Sequence, residues 1–267
     1  MSLVTSIKRK GAKFVETHPL SWYFAWILVH KLHFLLPHDQ SYMAVRYFPD
    51  TDGTLLLDVG ANDGISVLSF HKINPTLRFI SLEPNSIHKK SLEKLRGKIK
   101  EFEYRLIGAG DSPSEIDLFT PICFGVTLHT ATSSDRDRLL SWVEAQYGKF
   151  ARKHTSILHC KACLATVDSL SVDPKIIKID AEGFDYNVLL GSQKTIARNR
   201  PFIITEVSHY KDSEEFIFLM NEIKYSIYGF DIGNNKFYVP DVYEDKNIPG
   251  HRNMFLIPNE YVDRIPI

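Results

Sequence analysis

From Leu55 onward, short apolar runs alternate with helix-like segments, and this rhythm limits the chain to few folds. "LLLDV" reads as a first strand and "SVLSFHKI" as the helix after it. "LRFISLE" and "SIHKKSLEKLRGKI" repeat the pair, and "FEYRLIGA" gives a third strand. "PKIIKID", ending at Asp180, is a fourth strand, followed by one helix over "YNVLLGSQKTIARN". "PFIITEV" and "SEEFIFLMNEI" supply a fifth strand and its helix. Strands joined through helices make right-handed crossovers, so the expected fold is α/β: a mostly parallel sheet with helices on both faces. "YSIYGF", "KFYVP" and "NMFLIP" lie close together beside the turn signal "GNN", and they predict antiparallel strands closing one edge.

Two stretches stand outside the rhythm. The first fifty residues form an N-terminal segment, ahead of a domain over residues 51–267. Between the third and fourth strands, residues 109–165 hold a hairpin around "SEIDLFTP" and an amphipathic helix around "SDRDRLLSWVEAQYGKFARK". The part at about 121–165 is an insertion suited to a lid, a substrate wall or an interface. In the N-terminal segment Lys8, Arg9, Lys10 and Lys13 precede the apolar stretch at residues 21–37. That stretch is interrupted by His30, Lys31 and His33 and is shorter than the ~20 apolar residues of a membrane span. Two readings are open: a helix at a membrane surface, or one packed on the protein through Trp22, Trp26 and Val29. "SYMAVRYF" continues that layer beyond Pro37.

Charge excludes one class of partner. With 32 basic and 32 acidic residues, no global field favours nucleic acid. Three cysteines make no disulfide framework and suit a reducing, cytoplasmic compartment. Cys160 and Cys163 form a CxxC, but a zinc site would need Cys123, His154 or His159 as well, so the spacing is taken as chance.

The functional signal is "DVGANDG", Asp58 to Gly64, at the end of the first strand. In an open α/β sheet ligands bind beyond the C-terminal strand ends, where the strand order reverses. Gly60 permits a tight turn there and Gly64 a close approach of the next helix. A dinucleotide loop carries glycine where Asn62 stands, and Asp58 would repel a pyrophosphate. No GK[ST] follows, so a nucleotide triphosphate is excluded on motif grounds. S-adenosylmethionine has no phosphate, and its cationic amino-acid end can face Asp58. Glu83 ends the second strand, twenty-five residues on, and can accept both hydroxyls of a ribose. Ala61, Asn62, Asp63 and Ser66 beside the loop, with Pro84 and Asn85 after Glu83, complete the expected cofactor contacts.

"LLLDVGANDGISVLSF", "FISLEPN", "TVDSL", "IIKIDAEGFDYNVLLGS" and "RPFIITEV" together resemble, in order and spacing, the FkbM family of S-adenosylmethionine-dependent methyltransferases. The resemblance runs from about Leu55 to Val207, with a weaker echo at "NMFLIP". It implies the Rossmann-like fold of class I methyltransferases and O-methylation of a sugar or polyketide hydroxyl. Two positions depart from the family pattern: Ala181, where a β-branched residue is common, and Asp185, where glutamate is frequent.

A hydroxyl is a poor nucleophile at neutral pH, so the acceptor needs a base or a metal. Asp58, Asp180 and Glu206 end strands that are neighbours in the methyltransferase order, with Glu182 and His209 close by in sequence. In one reading Asp180 and Glu206 hold Mg2+. In another His209 is the base, oriented by Glu206 or Glu182. Glu182 could instead cap the following helix. Thr127, His129 and Thr130 are candidates to line an acceptor pocket, and Asp168 either contacts a ligand or fixes a turn. The expected activity is O-methyl transfer to a sugar in a glycan, glycolipid or glycosylated metabolite. The rivals are an NAD-dependent oxidoreductase and a non-catalytic cofactor-binding scaffold.

Overall fold

The computed structural model describes residues 19–32, 37–206, 214–240 and 253–267. The chain divides into two compact units, Met1–Phe34 with Glu115–Ala162, and Leu35–Ser114 with Cys163–Ile267.

The larger unit is built on an eight-stranded sheet. Its strands are β1 (Leu55–Val59), β2 (Arg78–Leu82), β3 (Phe102–Arg105), β8 (Pro174–Ile179), β9 (Phe202–Thr205), β10 (Tyr225–Asp231), β11 (Lys236–Tyr238) and β12 (Met254–Pro258). Their order is β11-β10-β12-β9-β8-β1-β2-β3. β3, β2, β1, β8 and β9 run parallel. β12 lies between β9 and β10 and is antiparallel to both. The antiparallel edge expected from the sequence is present, but the last strand is threaded one place inward. This is the Rossmann-like architecture of class I methyltransferases.

The central strands are buried on both faces, which explains their unbroken apolar runs. Alternate side chains serve two cores. Leu56, Phe79, Ile176 and Phe202 join one, with Val67 and Phe70 of α2 (Ile65–Ile73) and Leu92 of α3 (Lys89–Arg96). Leu55, Leu57, Ile177 and Ile203 join the other, with Val188, Leu189 and Ile196. The single helix expected after Asp180 is two helices, α5 (Asp185–Leu190) and α6 (Gln193–Asn199). They break at Gly191 because the chain there packs on Gly110: a Cβ at Gly191 would stand 2.0 Å from the Gly110 carbonyl oxygen. A 3-10 segment, Gln40–Tyr47, lies on α2, with the Tyr42 and Phe70 rings stacked at 4.3 Å.

Asp168 proves to be a capping residue. Its carboxylate accepts from the backbone N–H groups of Lys194 (3.1 Å) and Thr195 (2.7 Å), the orphan donors in the first turn of α6. Asp168→Ala is therefore expected to lower stability by about 1 kcal/mol in urea melts and leave ligand binding unchanged.

The smaller unit contains α1 (Pro19–Leu32), β6 (Val126–Thr127), α4 (Arg136–Lys153) and most of β5 (Ser114–Cys123) and β7 (Thr155–Ala165). "SEIDLFTP" is one strand, β5, and the hairpin lies beyond it, with β5 turning into β6 at Phe124 and Gly125, both at positive φ. β7 has a mixed, mostly solvent-open face, which gives only a weak strand pattern in the sequence. The strand order β4-β7-β5-β6 includes the short β4 (Gly108–Ala109), so "FEYRLIGA" is split between two sheets. α4 is capped by Asp135, which accepts from the N–H groups of Asp137 and Arg138, and is kinked at Gly148. Cys160 and Cys163, an odd number of residues apart on β7, point to opposite faces and cannot converge on one metal. The side chains of Trp22, Trp26 and Val29 lie outside the described residues.

Candidate active site

The β1–α2 loop is held by backbone and by Glu83. Gly60 and Ala61 both donate their N–H to the Leu82 carbonyl, at 2.9 and 3.2 Å. Gly60, Asn62 and Gly64 all have positive φ, at 79°, 53° and 89°. At Gly60 the need for glycine is absolute: a Cβ would stand 1.8 Å from the backbone oxygen of Asp180. The loop thus touches the end of β8 at the point where strand order reverses. Asp63 accepts from the Ile65 N–H at 3.3 Å, at the first turn of α2.

Glu83 is buried at the end of β2. Its Oε2 accepts from the Asn62 N–H (2.7 Å) and its Oε1 from the Asn85 N–H (2.8 Å). Asn85 in turn accepts from the Ile87 N–H, so residues 83–87, Pro84 included, form one braced turn. A carboxylate has about four lone-pair positions, and two remain for ribose hydroxyls. Burial, opposed by these two amide bonds, raises the Glu83 pKa to about 7.

A buried lysine lies beneath the loop. Lys178 Nζ is 3.3 Å from Asp58 Oδ1 and 3.4 Å from Asp180 Oδ2, and it donates to the Gly60 carbonyl at 3.0 Å. Asp58 and Lys178 are register partners on adjacent strands. Burial works against the charge of Lys178, but Asp58 and Asp180 outweigh it and hold its pKa well above that of a free lysine. The other Asp58 oxygen accepts from Ser66 Oγ (2.8 Å) and Ser81 Oγ (3.1 Å). Asp58 and Ser66 are buried, and the bond between them braces the start of α2 against β1. Lys178 lies within an apolar run, and its one signal is a charge at the register position of Asp58.

Asp180 is the open carboxylate, 40% exposed. After it, Glu182 takes a positive φ of 48°. Asp185 accepts from the N–H groups of Ala181 (3.1 Å) and Gly183 (3.2 Å). The capping role considered for Glu182 is not seen: Phe184 is at the N-cap with no side-chain bond, and Asp185 braces the turn ahead of the helix. Partial burial, then the negative charges of Asp180, Glu206 and Asp185, push Glu182 up to about 7. A magnesium site does not fit this arrangement. Lys178 already supplies the cation beside Asp180, and no group of three or more His, Cys, Asp or Glu suited to a metal occurs among the described residues. No step through a metal is derived. His209 lies outside the described residues, and Thr127, His129 and Thr130 belong to the smaller unit.

The sequence matches the methyltransferase FkbM domain over residues 58–232. The chain belongs to the FkbM methyltransferase family. The match spans the glycine loop, Glu83, Lys178 and Asp180, and ends just after β10. Among solved structures, an FkbM methyltransferase from Methylobacillus flagellatus KT is 15% identical, with a TM-score of 0.48 over 80% of this chain and 47% of that one. This chain thus spans about half the length of that protein. A fibrillarin from Aeropyrum pernix, in complex with natively bound S-adenosyl-L-methionine, is 11% identical with a TM-score of 0.37, covering 82% of this chain and 76% of that one. A precorrin-6y C5,15-methyltransferase from Geobacter metallireducens GS-15 is 10% identical, with a TM-score of 0.38 over 81% and 84%. No curated protein matches the sequence.

A ribose held on Glu83 would make cofactor affinity pH-dependent. Ribose hydroxyls bond best to the ionised carboxylate, so S-adenosylmethionine affinity is expected to rise with pH through about 7 and binding to release a proton. Stability runs the other way. The folded protein keeps a proton that a carboxyl of pKa 4.5 has lost, so this group's contribution falls as pH climbs from 4.5 to about 7. Calorimetry in buffers of different ionisation enthalpy, with Glu83→Gln as control, reads the released proton directly.

Proposed function

We propose that this protein transfers the methyl group of S-adenosylmethionine to a hydroxyl of a sugar in a glycan, glycolipid or glycosylated metabolite. The observation that carries the cofactor is the Gly60–Glu83 crevice, where a glycine loop pressed against β8 meets a buried carboxylate with two free lone-pair positions. When bound, the cofactor supplies an activated methyl on a sulfonium. The protein's part is to align the acceptor, exclude water and receive a proton. Asp180, open to solvent beside that crevice, is suited to orient a hydroxyl. The Asn/Asp-Pro-Pro-aromatic cluster that clamps a flat nucleobase is not what "DAEG" offers at Asp180, which favours a flexible hydroxylated acceptor over an amine on a base. The test is product analysis by mass spectrometry with S-adenosylmethionine and a panel of methyl glycosides. A mass gain of one methylene on a sugar oxygen supports the reading; transfer only to amines or carboxylates overturns it.

The smaller unit suggests where the acceptor is met. On α1, Leu20, Tyr23, Phe24 and Leu28 are exposed, and Phe124 and Phe150 pair on the same unit at 5.8 Å. Lys8, Arg9, Lys10 and Lys13 precede α1 in sequence, and Lys149 and Lys153 flank Phe150. Among the described residues no helix is long and apolar enough to cross a membrane. Apolar side chains among lysines suit the surface of an anionic bilayer, with a lipid-linked glycan as acceptor. Flotation with phosphatidylserine-containing vesicles should retain the protein and lose the Phe24→Ser/Phe150→Ser variant; equal recovery of the two would end this part of the proposal.

A further inference from the structure

We propose that His38 is the general base, taking the acceptor's hydroxyl proton on its Nε2. The inference rests on the methyl-transfer reading above and adds a residue that no motif in the sequence marks.

The reasoning starts from one hydroxyl. Ser69, in the second turn of α2, donates its Oγ–H to the Ile65 carbonyl at 3.0 Å, the usual back-bond of a helical serine. That uses its single donor. Its two lone pairs are approached by the His38 backbone N–H at 3.1 Å and by His38 Nδ1 at 3.0 Å. With the Ser69 proton on the Ile65 carbonyl the oxygen can only accept, and in that arrangement Nδ1 carries the ring proton. Nε2 is then the bare nitrogen, the form a base requires.

Ring position is fixed by more than this bond. The Tyr42 ring meets His38 edge-on at 5.2 Å. Asp39 caps the 3-10 segment through the Ser41 N–H at 2.8 Å, and Asn253, at the start of β12, donates to Asp39 Oδ2 and Ser41 Oγ, both at 2.8 Å. The segment that carries His38 is thereby tied to the sheet and to α2, the helix leaving the cofactor loop. His38 as a residue is open to solvent, which leaves a route for a proton.

Besides Asp39 next to it in the chain, the charges that act on His38 electrostatically are Lys178, Asp180 and Asp58. Loss of hydration lowers the His38 pKa, with Lys178 in the same sense and Asp39, Asp180 and Asp58 opposing. The ring is therefore neutral at physiological pH, and the imidazolium formed in the reaction has three carboxylates in its field. In the transfer step the acceptor oxygen bonds to the methyl carbon while the carbon–sulfur bond breaks and its electron pair stays on sulfur. The hydroxyl proton passes to His38 Nε2 and then to water.

Two readouts decide. Long-range proton–nitrogen NMR on the unaltered, 15N-labelled protein reports the tautomer without any acceptor. An Nδ1–H ring titrating below pH 6.5 is expected; an Nε2–H ring overturns the proposal even if S-adenosylmethionine binds as proposed. With a methyl glycoside that turns over, His38→Gln should lower kcat about 100-fold or more, with cofactor affinity unchanged, KM within threefold and the acid limb of the kcat profile at saturating S-adenosylmethionine gone. A kcat within threefold of the parent, or a retained acid limb, overturns it. A panel of glycosides with no turnover counts against the sugar acceptor and leaves the NMR result to decide on His38.

Discussion

Replacing Lys178 by methionine is expected to cost the larger unit about 3–5 kcal/mol and to abolish cofactor binding. The lysine is buried with Asp58, whose carboxylate is wholly enclosed, and its removal leaves that charge with only Ser66 and Ser81 as partners. Burying an unpaired charge is among the few single changes that reach this size. The loop suffers as well, because Lys178 holds the Gly60 carbonyl. The charge explanation has its own control. Asp58→Asn in the Lys178→Met background removes the stranded carboxylate, so the double variant should be markedly more stable than Lys178→Met alone. Urea denaturation of the three variants measures both effects; a double variant no better than the single one would assign the loss to packing.

Gly60→Ala is the second large effect, expected to lower stability by about 3 kcal/mol and to leave no measurable cofactor affinity. Two causes add. The residue has a φ of 79°, which alanine adopts at a cost of about 1 kcal/mol. The added methyl would also lie 1.8 Å from the Asp180 carbonyl oxygen, which is backbone and cannot rotate away. Loop and strand must separate, straining the hydrogen bond from the Asp180 N–H to the Val59 carbonyl at 3.0 Å. Gly53→Ala separates the causes, since Gly53 also has positive φ, at 68°, but nothing within 4 Å of its Cβ position. That variant should lose only the conformational part, and thermal melts of the pair would show it.

The contrast between Glu83 and Lys178 explains which parts of the site could be read in the sequence. Glu83 was legible because a strand-end acid at a set interval from a glycine loop has a recurring local reason. Lys178 acts through Asp58, and the two meet only because β1 and β8 are adjacent and in register, a fact of sheet order and not of spacing. His38 is harder still, since its tautomer depends on where one serine proton goes. The fold shows the same division. The βα rhythm gave the parallel strands, whereas the placement of β12 between β9 and β10 is long-range pairing that no local pattern encodes. The break at Gly191 is likewise set by a neighbour, the Gly110 backbone, far away in the chain. Magnesium was inferred from carboxylates at strand ends, and the lysine between two of them removes the reason for it.

The most direct measurement is calorimetric titration of the protein with S-adenosylmethionine and S-adenosylhomocysteine, with Glu83→Ala alongside. Removing a carboxylate that takes two ribose hydroxyls should weaken binding about 100-fold, since each bond to a charged acceptor contributes ~1.5 kcal/mol or more. Micromolar binding of both ligands, lost in the variant, is the predicted result. Absence of binding to the parent protein, or equal affinity in Glu83→Ala, would mean that the Gly60–Glu83 crevice does not hold this cofactor, and the proposed methyl transfer would fall with it.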